Sequence, residues 1–127
     1  MPSNTTLSEW LEEAFGLERS GQTVAALAAF TLAASHWPEA AAPLVAAANI
    51  EIEADRLQEA RVNLQAAVYR QRENPVALNN LAHVQMLQGD LQEAEINARR
   101  AVEYATTTGP IARETLAEIL ALKQQRK

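Results

Sequence analysis

The carboxylates that stand in close pairs along this sequence are the first candidates for acid–base chemistry. The three pairs, each one or two residues apart, are Glu12 and Glu13, Glu51 and Glu53, and Glu93 and Glu95. On a helix, residues at such separations point in different directions, so the two members of a pair cannot easily share a substrate. We therefore interpret these pairs as solvated helix surface.

Metal-binding and nucleophilic side chains are scarce. The chain has no cysteine, which excludes disulfides, thiolate chemistry and cysteine zinc sites. Its two histidines, His36 and His83, are far apart in the sequence and are predicted to lie on different helices, so no shared metal site is expected. No glycine-rich phosphate loop and no His-Glu-x-x-His pattern is present. We predict no enzyme, no cofactor and no metal.

The elements that must position any binding site follow a repeat of 34 residues. Nine alanines mark this period in three sets: Ala14, Ala48 and Ala82; Ala26, Ala60 and Ala94; Ala33, Ala67 and Ala101. Arrays of helical hairpins produce a period of this length. Only 5% of the residues are aromatic, so the core must consist mainly of alanine and leucine, which favours close helix packing over a β-sandwich.

Capping and turn residues predict seven helices, two in each cycle and a last one without a partner. A capping box at Thr6 and Glu9 opens the first helix, and Gly21 ends it. The predicted helices are 7–19, 22–36, 41–54, 57–72, 75–87, 91–104 and 111–125, with a loop at 106–110. The last helix is expected to cover the open end of the stack with Leu116, Ile119 and Leu120.

These features resemble the tetratricopeptide repeat family. The residues that match its pattern in the first cycle are Trp10, Ala14, Gly21, Ala26, Phe30, Ala33 and Pro38. In the third cycle they are Leu78, Leu81, Ala82, Gln88, Gly89, Asp90, Glu93, Ala94 and Ala101. The second cycle departs from it at Asp55 and Leu64. The resemblance implies an all-α, right-handed superhelical solenoid. Residues 1–127 then form one domain, with repeats at about 7–40, 41–74 and 75–108 and a capping helix at about 110–125.

The resemblance also implies a binding surface, because the first helix of each repeat lines the concave face in this family. The residues expected there are Leu11, Phe15, Val45, Asn49, Ile52, Asn79, Asn80, His83, Met86 and Leu87. Asparagine both donates and accepts hydrogen bonds, so it can bind the backbone of a peptide. Some family members clamp a terminal carboxylate, but Leu11, Val76 and Asn80 stand where cations would be required.

The distribution of charge narrows the class of partner. The net charge is −5, and residues 1–63 hold nine acidic against three basic side chains. This balance disfavours nucleic acid and mildly favours a basic partner. No apolar run reaches the roughly 20 residues that a membrane span requires, and the N-terminus lacks the pattern of a secretory signal. The cytoplasm is the default expectation, and the periplasm the alternative if the chain is a fragment of an exported protein.

Three kinds of function are consistent with this pattern. The first is a non-catalytic adaptor, scaffold or chaperone that binds a peptide or helix of another protein, of basic or apolar character, in the groove. The second is a self-associating structural subunit of a larger assembly, which would make the chain a homo-oligomer. The third is a regulatory domain of an enzyme or of a secretion complex.

Overall fold

A computed structural model describes residues 5–105 and 109–126. These residues form seven helices: α1 (Leu7–Arg19), α2 (Thr23–His36), α3 (Ala42–Glu53), α4 (Leu57–Arg70), α5 (Pro75–Leu87), α6 (Leu91–Tyr104) and α7 (Gly109–Gln125). No strand occurs in the described ranges, and the all-helical prediction is confirmed. Residues 106–108 of the predicted loop lie outside the described residues. Helix α7 begins two residues earlier than predicted, because Pro110 fits within its first turn.

The helices form three hairpins, α1–α2, α3–α4 and α5–α6, and α7 packs against α5 and α6. Contacts between α2 and α3 and between α4 and α5 join successive hairpins. All nine alanines of the 34-residue period are fully buried. A small side chain at these positions lets the backbones of neighbouring helices approach each other closely.

The turn inside each hairpin has the same hydrogen bonds. The first helix of each hairpin ends in a Schellman motif, in which Gly21, Asp55 and Gly89 adopt φ angles of 83°, 60° and 83°. In the second hairpin the Asp55 amide donates to the Ile52 carbonyl at 3.0 Å and the Arg56 amide to the Glu51 carbonyl at 2.8 Å. Asp55 thus occupies a left-handed conformation that glycine adopts at the other two turns.

Replacing Asp55 with glycine is expected to raise the free energy of unfolding by about 0.5–1 kcal/mol, because a side chain in the left-handed region costs energy that glycine avoids. Urea denaturation would measure the change. Ala54→Gly is the matched control, since Ala54 has a φ of −87° and gains nothing from glycine. Equal effects of the two substitutions would contradict the prediction.

Arginine side chains bind backbone carbonyls of the preceding unit of the stack. The Arg70 Nη1 atom donates to the carbonyls of Ala34, Trp37 and Ala40 at 3.0, 3.3 and 3.0 Å. At the other end of the stack, Arg126 of the chain beyond α7 donates to the Gly89 carbonyl at 3.0 Å. These bonds give hydrogen-bond partners to carbonyls in the last turn of α2 and in the turns, where the helix ladder supplies none.

The second and third hairpins each contain a polar contact in their interior, at equivalent positions of the repeat. In the second hairpin, the Asn63 Nδ2 atom donates to the Glu51 Oε1 atom at 2.6 Å. In the third, Asn97 Nδ2 donates to Gln85 Oε1 at 2.9 Å. Each pair joins the two helices of its hairpin across the interior. The expectation that Glu51 belongs to solvated helix surface is wrong, since Glu51 is only 5% exposed.

Helix α7 buries Ala112, Thr115 and Ile119 against the third hairpin. The prediction that Leu120 belongs to this buried side is wrong, since Leu120 is 39% exposed. The buried stripe runs through positions three and four apart, and Leu120 lies beside it on the helix surface. Lys123 holds α7 to α6 through a 2.5 Å ion pair with Glu95. Hydrogen bonds from Lys123 and then Arg99 lower the pKa of the Glu95 carboxyl below its ordinary value.

Candidate functional site

A concavity of about 280 Å³ opens between the first helices of the three hairpins. The residues that line it are Phe15, Ala42, Val45, Ala46, Asn49, Asn74 and Val76. They come from α1, from α3 and from the start of α5. The predicted site residues Phe15, Val45 and Asn49 are thus brought together on one surface.

Core packing fixes the apolar wall of this concavity. The Phe15 ring is 39% exposed and meets the buried Phe30 ring edge-on, with the ring centroids 4.9 Å apart. Val45 belongs to the buried cluster that joins α3 to α5. Because both side chains rest on the core, their exposed atoms form a surface that needs little ordering before it binds a ligand.

Two asparagines form a hydrogen-bonded pair on the same side of the stack. The Asn80 Nδ2 atom of α5 donates to the Asn49 Oδ1 atom of α3 at 3.0 Å. After this bond the pair still offers the Asn49 amide hydrogens as donors and the Asn80 oxygen as an acceptor. If both side-chain amides were flipped, so that Asn49 donated to Asn80, the pair would still offer free amide hydrogens and a free oxygen. A peptide unit of a ligand requires this combination of a donor and an acceptor.

The other predicted groove residues differ in their exposure. Leu11, Ile52 and His83 are half-buried, and Leu87 is exposed. Met86 is buried in the cluster that includes Ile119 of α7. Asn79 is also buried, and its Oδ1 atom has no hydrogen-bond partner among the described residues. That these residues contact a ligand stays a prediction.

Sequence reasoning did not include four of the residues that line the concavity, Ala42, Ala46, Asn74 and Val76. The repeat itself carries a signal for two of them, because Ala42 and Val76 stand 34 residues apart at equivalent positions. Asn74 caps α5, and its Oδ1 atom accepts a hydrogen bond from the Ala77 amide at 3.1 Å. A capping role does not reveal that the same residue borders a binding surface.

The concavity is uncharged. All of its lining side chains are apolar or amides, and α5 contains no Asp, Glu, Lys or Arg. Val76, one of the positions where a carboxylate clamp needs a cation, forms part of the apolar lining. The site therefore suits an apolar side chain and neutral backbone groups, and lacks the charge-assisted donors that a terminal carboxylate requires.

Within the described ranges, no group of three or more acidic or histidine side chains is placed to hold a metal ion. None of the described helices has the length and apolar character needed to cross a membrane.

No protein-family model and no curated protein matches this chain at a significant level. Solved structures do match it. The type III secretion chaperone SycD of Yersinia enterocolitica, in complex with a peptide of the translocator YopD, superposes with a TM-score of 0.85 at 14% identity, covering 99% of this chain and 100% of that one.

Two further structures superpose almost as well. The first TPR domain of Spaghetti (RPAP3), bound to the HSP90 peptide SRMEEVD, gives a TM-score of 0.83 at 16% identity, with 93% of each chain covered. The TPR2B domain of yeast Sti1, in a complex with Hsp70, gives 0.82 at 14% identity, with 95% of this chain and 98% of that one covered. At these identities the likeness shows the fold.

The nine buried alanines, the three Schellman turns and the seventh helix over the last hairpin agree with these superpositions. The seven described helices fit three repeats and a capping helix. The chain has the tetratricopeptide-repeat fold.

Proposed function

We propose that this protein is a non-catalytic binding module, an adaptor, scaffold or chaperone that holds a peptide or helix of another protein in the groove formed by α1, α3 and α5. The observation that carries the proposal is the uncharged 280 Å³ concavity beside the Asn49–Asn80 pair. SycD and the Spaghetti domain, which share the fold, have been solved with bound peptides.

The chemistry of the groove indicates which ligands it takes. An apolar side chain of the ligand would enter the concavity between Phe15 and Val76, and the asparagine pair would bind the ligand backbone beside it. Backbone recognition tolerates variation in ligand sequence, whereas the apolar anchor selects a side chain that fits. Positions 11, 76 and 80 hold Leu, Val and Asn and so offer no cation to a C-terminal carboxylate. Ligands that bind through such a carboxylate are therefore disfavoured.

Replacing both Asn49 and Asn80 with arginine tests the proposal. Two long cationic side chains would remove the amide pair and fill the groove beside the concavity. In a pull-down from native lysate read by mass spectrometry, we expect the variant to retain less than about a tenth of a partner that the wild type captures, which corresponds to roughly 1.4 kcal/mol or more.

The matched control is Gln58→Arg with Gln92→Arg, which adds the same two charges at exposed positions of α4 and α6. Circular dichroism and thermal melting would establish that both double variants are folded. Loss of the partner from the groove variant alone supports the proposal. Equal capture by the wild type and both variants would refute binding in the groove.

Self-association through the outer face of α1 is less well supported. Glu9, Glu13 and Gly16 stand 34 residues before Pro43, Ala47 and Ile50, which are all buried. Ala47 and Ile50 belong to the cluster that joins the first two hairpins. The outer face of α1 thus presents carboxylates where the later hairpins have apolar side chains. SycD has been solved in an alternative dimer, but burying like charges against each other would oppose such a contact through α1 here.

A further inference from the structure

A second depression lies on the side of the second helices, away from the groove. It has a volume of about 310 Å³ and is lined by Gln65, Val68, Tyr69, Arg72 and Arg100. Helix α4 supplies the first three residues, the following turn supplies Arg72, and α6 supplies Arg100. Nothing in the proposed groove function uses this surface.

The two arginines of the depression are held in place by contacts with their surroundings. The Arg100 Nη2 atom donates to the backbone carbonyl of Arg72 at 3.1 Å. The Arg72 guanidinium carbon lies 5.8 Å from the centroid of the Tyr69 ring, within range of a cation–π interaction. These contacts leave most of the N–H donors of both guanidinium groups available to a ligand.

Neither guanidinium is neutralised within the described part of the chain. The salt bridges of the neighbouring arginines join Arg56 to Glu59 and Arg99 to Glu95, and none involves Arg72 or Arg100. Glu73 and Glu103 are close to them along the chain but form no ion pair with them. Two positive charges thus share one depression in a protein whose net charge is −5.

Comparing equivalent positions of the repeat shows whether the fold requires arginine at positions 72 and 100. Arg72 stands at the position of Pro38 in the first hairpin, and Arg100 at the position of Leu32 and Ala66. The hairpins form with apolar residues at these places, so packing does not require arginine there. The pair of cations is therefore particular to the depression formed by α4, the turn that follows it and α6.

We propose that Arg72 and Arg100 form a binding site for an oxyanion carried by a partner polypeptide. Guanidinium groups bind phosphate and carboxylate oxygens through pairs of charge-assisted hydrogen bonds. The shared chemistry of the ligand is a doubly charged oxyanion, supplied either by a phosphorylated side chain or by adjacent carboxylates. A nucleic acid is disfavoured because the depression supplies only two cations and the net charge of the protein is −5.

Titration of the 15N-labelled protein with inorganic phosphate, and separately with an acetylated tetraglutamate peptide, tests this site. We expect saturable shifts of the Arg72 and Arg100 side-chain Nε–H signals that weaken as salt is added. The Arg72→Gln/Arg100→Gln variant should bind the preferred probe about tenfold more weakly. Arg56→Gln/Arg99→Gln removes the same charge from ion-paired positions and should change the affinity by less than about twofold.

Between the two sources, tighter binding of phosphate than of tetraglutamate favours a phosphorylated side chain, and the reverse favours a run of carboxylates. Absence of saturable shifts with both probes would overturn the proposal. Equal weakening in both double variants would do the same, because it would show an effect of net charge alone. A short oligothymidylate that binds more tightly than either probe would overturn the assignment to a polypeptide. Circular dichroism of each variant controls for loss of structure.

Discussion

Shortening Phe30 to alanine is expected to lower the free energy of unfolding by about 3–5 kcal/mol, the range for a large aromatic side chain removed from a core. Phe30 is fully buried, and its cluster includes Ala46 and Ile50 of the next hairpin. The substitution therefore opens a cavity at the contact between the first two hairpins. Denaturant unfolding followed by circular dichroism would measure the loss.

Leu32→Ala is the matched control for this prediction. Leu32 lies on the same helix but is 54% exposed, so its truncation should cost less than about 1 kcal/mol. Similar losses from the two substitutions would show that the contact between the hairpins does not depend on Phe30.

Replacing Asn63 with alanine is expected to cost about 2–3 kcal/mol, because the change leaves the Glu51 carboxylate without its hydrogen-bond donor. Glu51 is only 5% exposed, so water cannot fully replace the lost bond. The equivalent substitution Asn97→Ala leaves the neutral Gln85 amide and should cost about 1 kcal/mol less, since unpaired charges are penalised more than unpaired amides.

A double-mutant cycle with Glu51→Gln isolates the contribution of the charge. In the Glu51→Gln background, Asn63→Ala should cost about as much as Asn97→Ala does in the wild type, because both then leave a neutral amide. If Asn63→Ala costs as much with glutamine as with glutamate at position 51, the charge of Glu51 does not explain its effect. Urea denaturation of the four proteins of the cycle and of the Asn97→Ala variant supplies the measurement.

The fold could be predicted largely from features that depend on one hairpin at a time. Ala14, Ala48 and Ala82 recur because the crossing of two helices requires a small side chain, and this requirement appears directly in the sequence. Helix ends were predicted within a few residues because caps such as Thr6 and turn residues such as Gly21 act locally. The position of Leu120 was harder to predict, since it depends on the rotation of α7 against its neighbours.

The site could be predicted only in part, because it depends on how hairpins sit against each other. Phe15, Val45 and Asn49 were placed on the groove from their repeat positions, and the concavity brings them together. The bond between Asn49 and Asn80 joins two helices that are not consecutive in the chain. The two asparagines are 31 residues apart, which does not match the 34-residue period, so their hydrogen bond can be seen only once the register between the hairpins is known.

The hydrogen bonds from Arg70 to three carbonyls between the end of α2 and the start of α3 affect how cooperatively this protein unfolds. In a linear array each unit touches only its neighbours, and the energy between units decides whether they melt singly or together. The Arg70 guanidinium strengthens the interface between the first two hairpins, and so raises the coupling energy between them without adding to the hydrophobic core. Amide hydrogen exchange in α2 and α3 should then proceed through a common opening event, whereas fraying from the end would release α2 first.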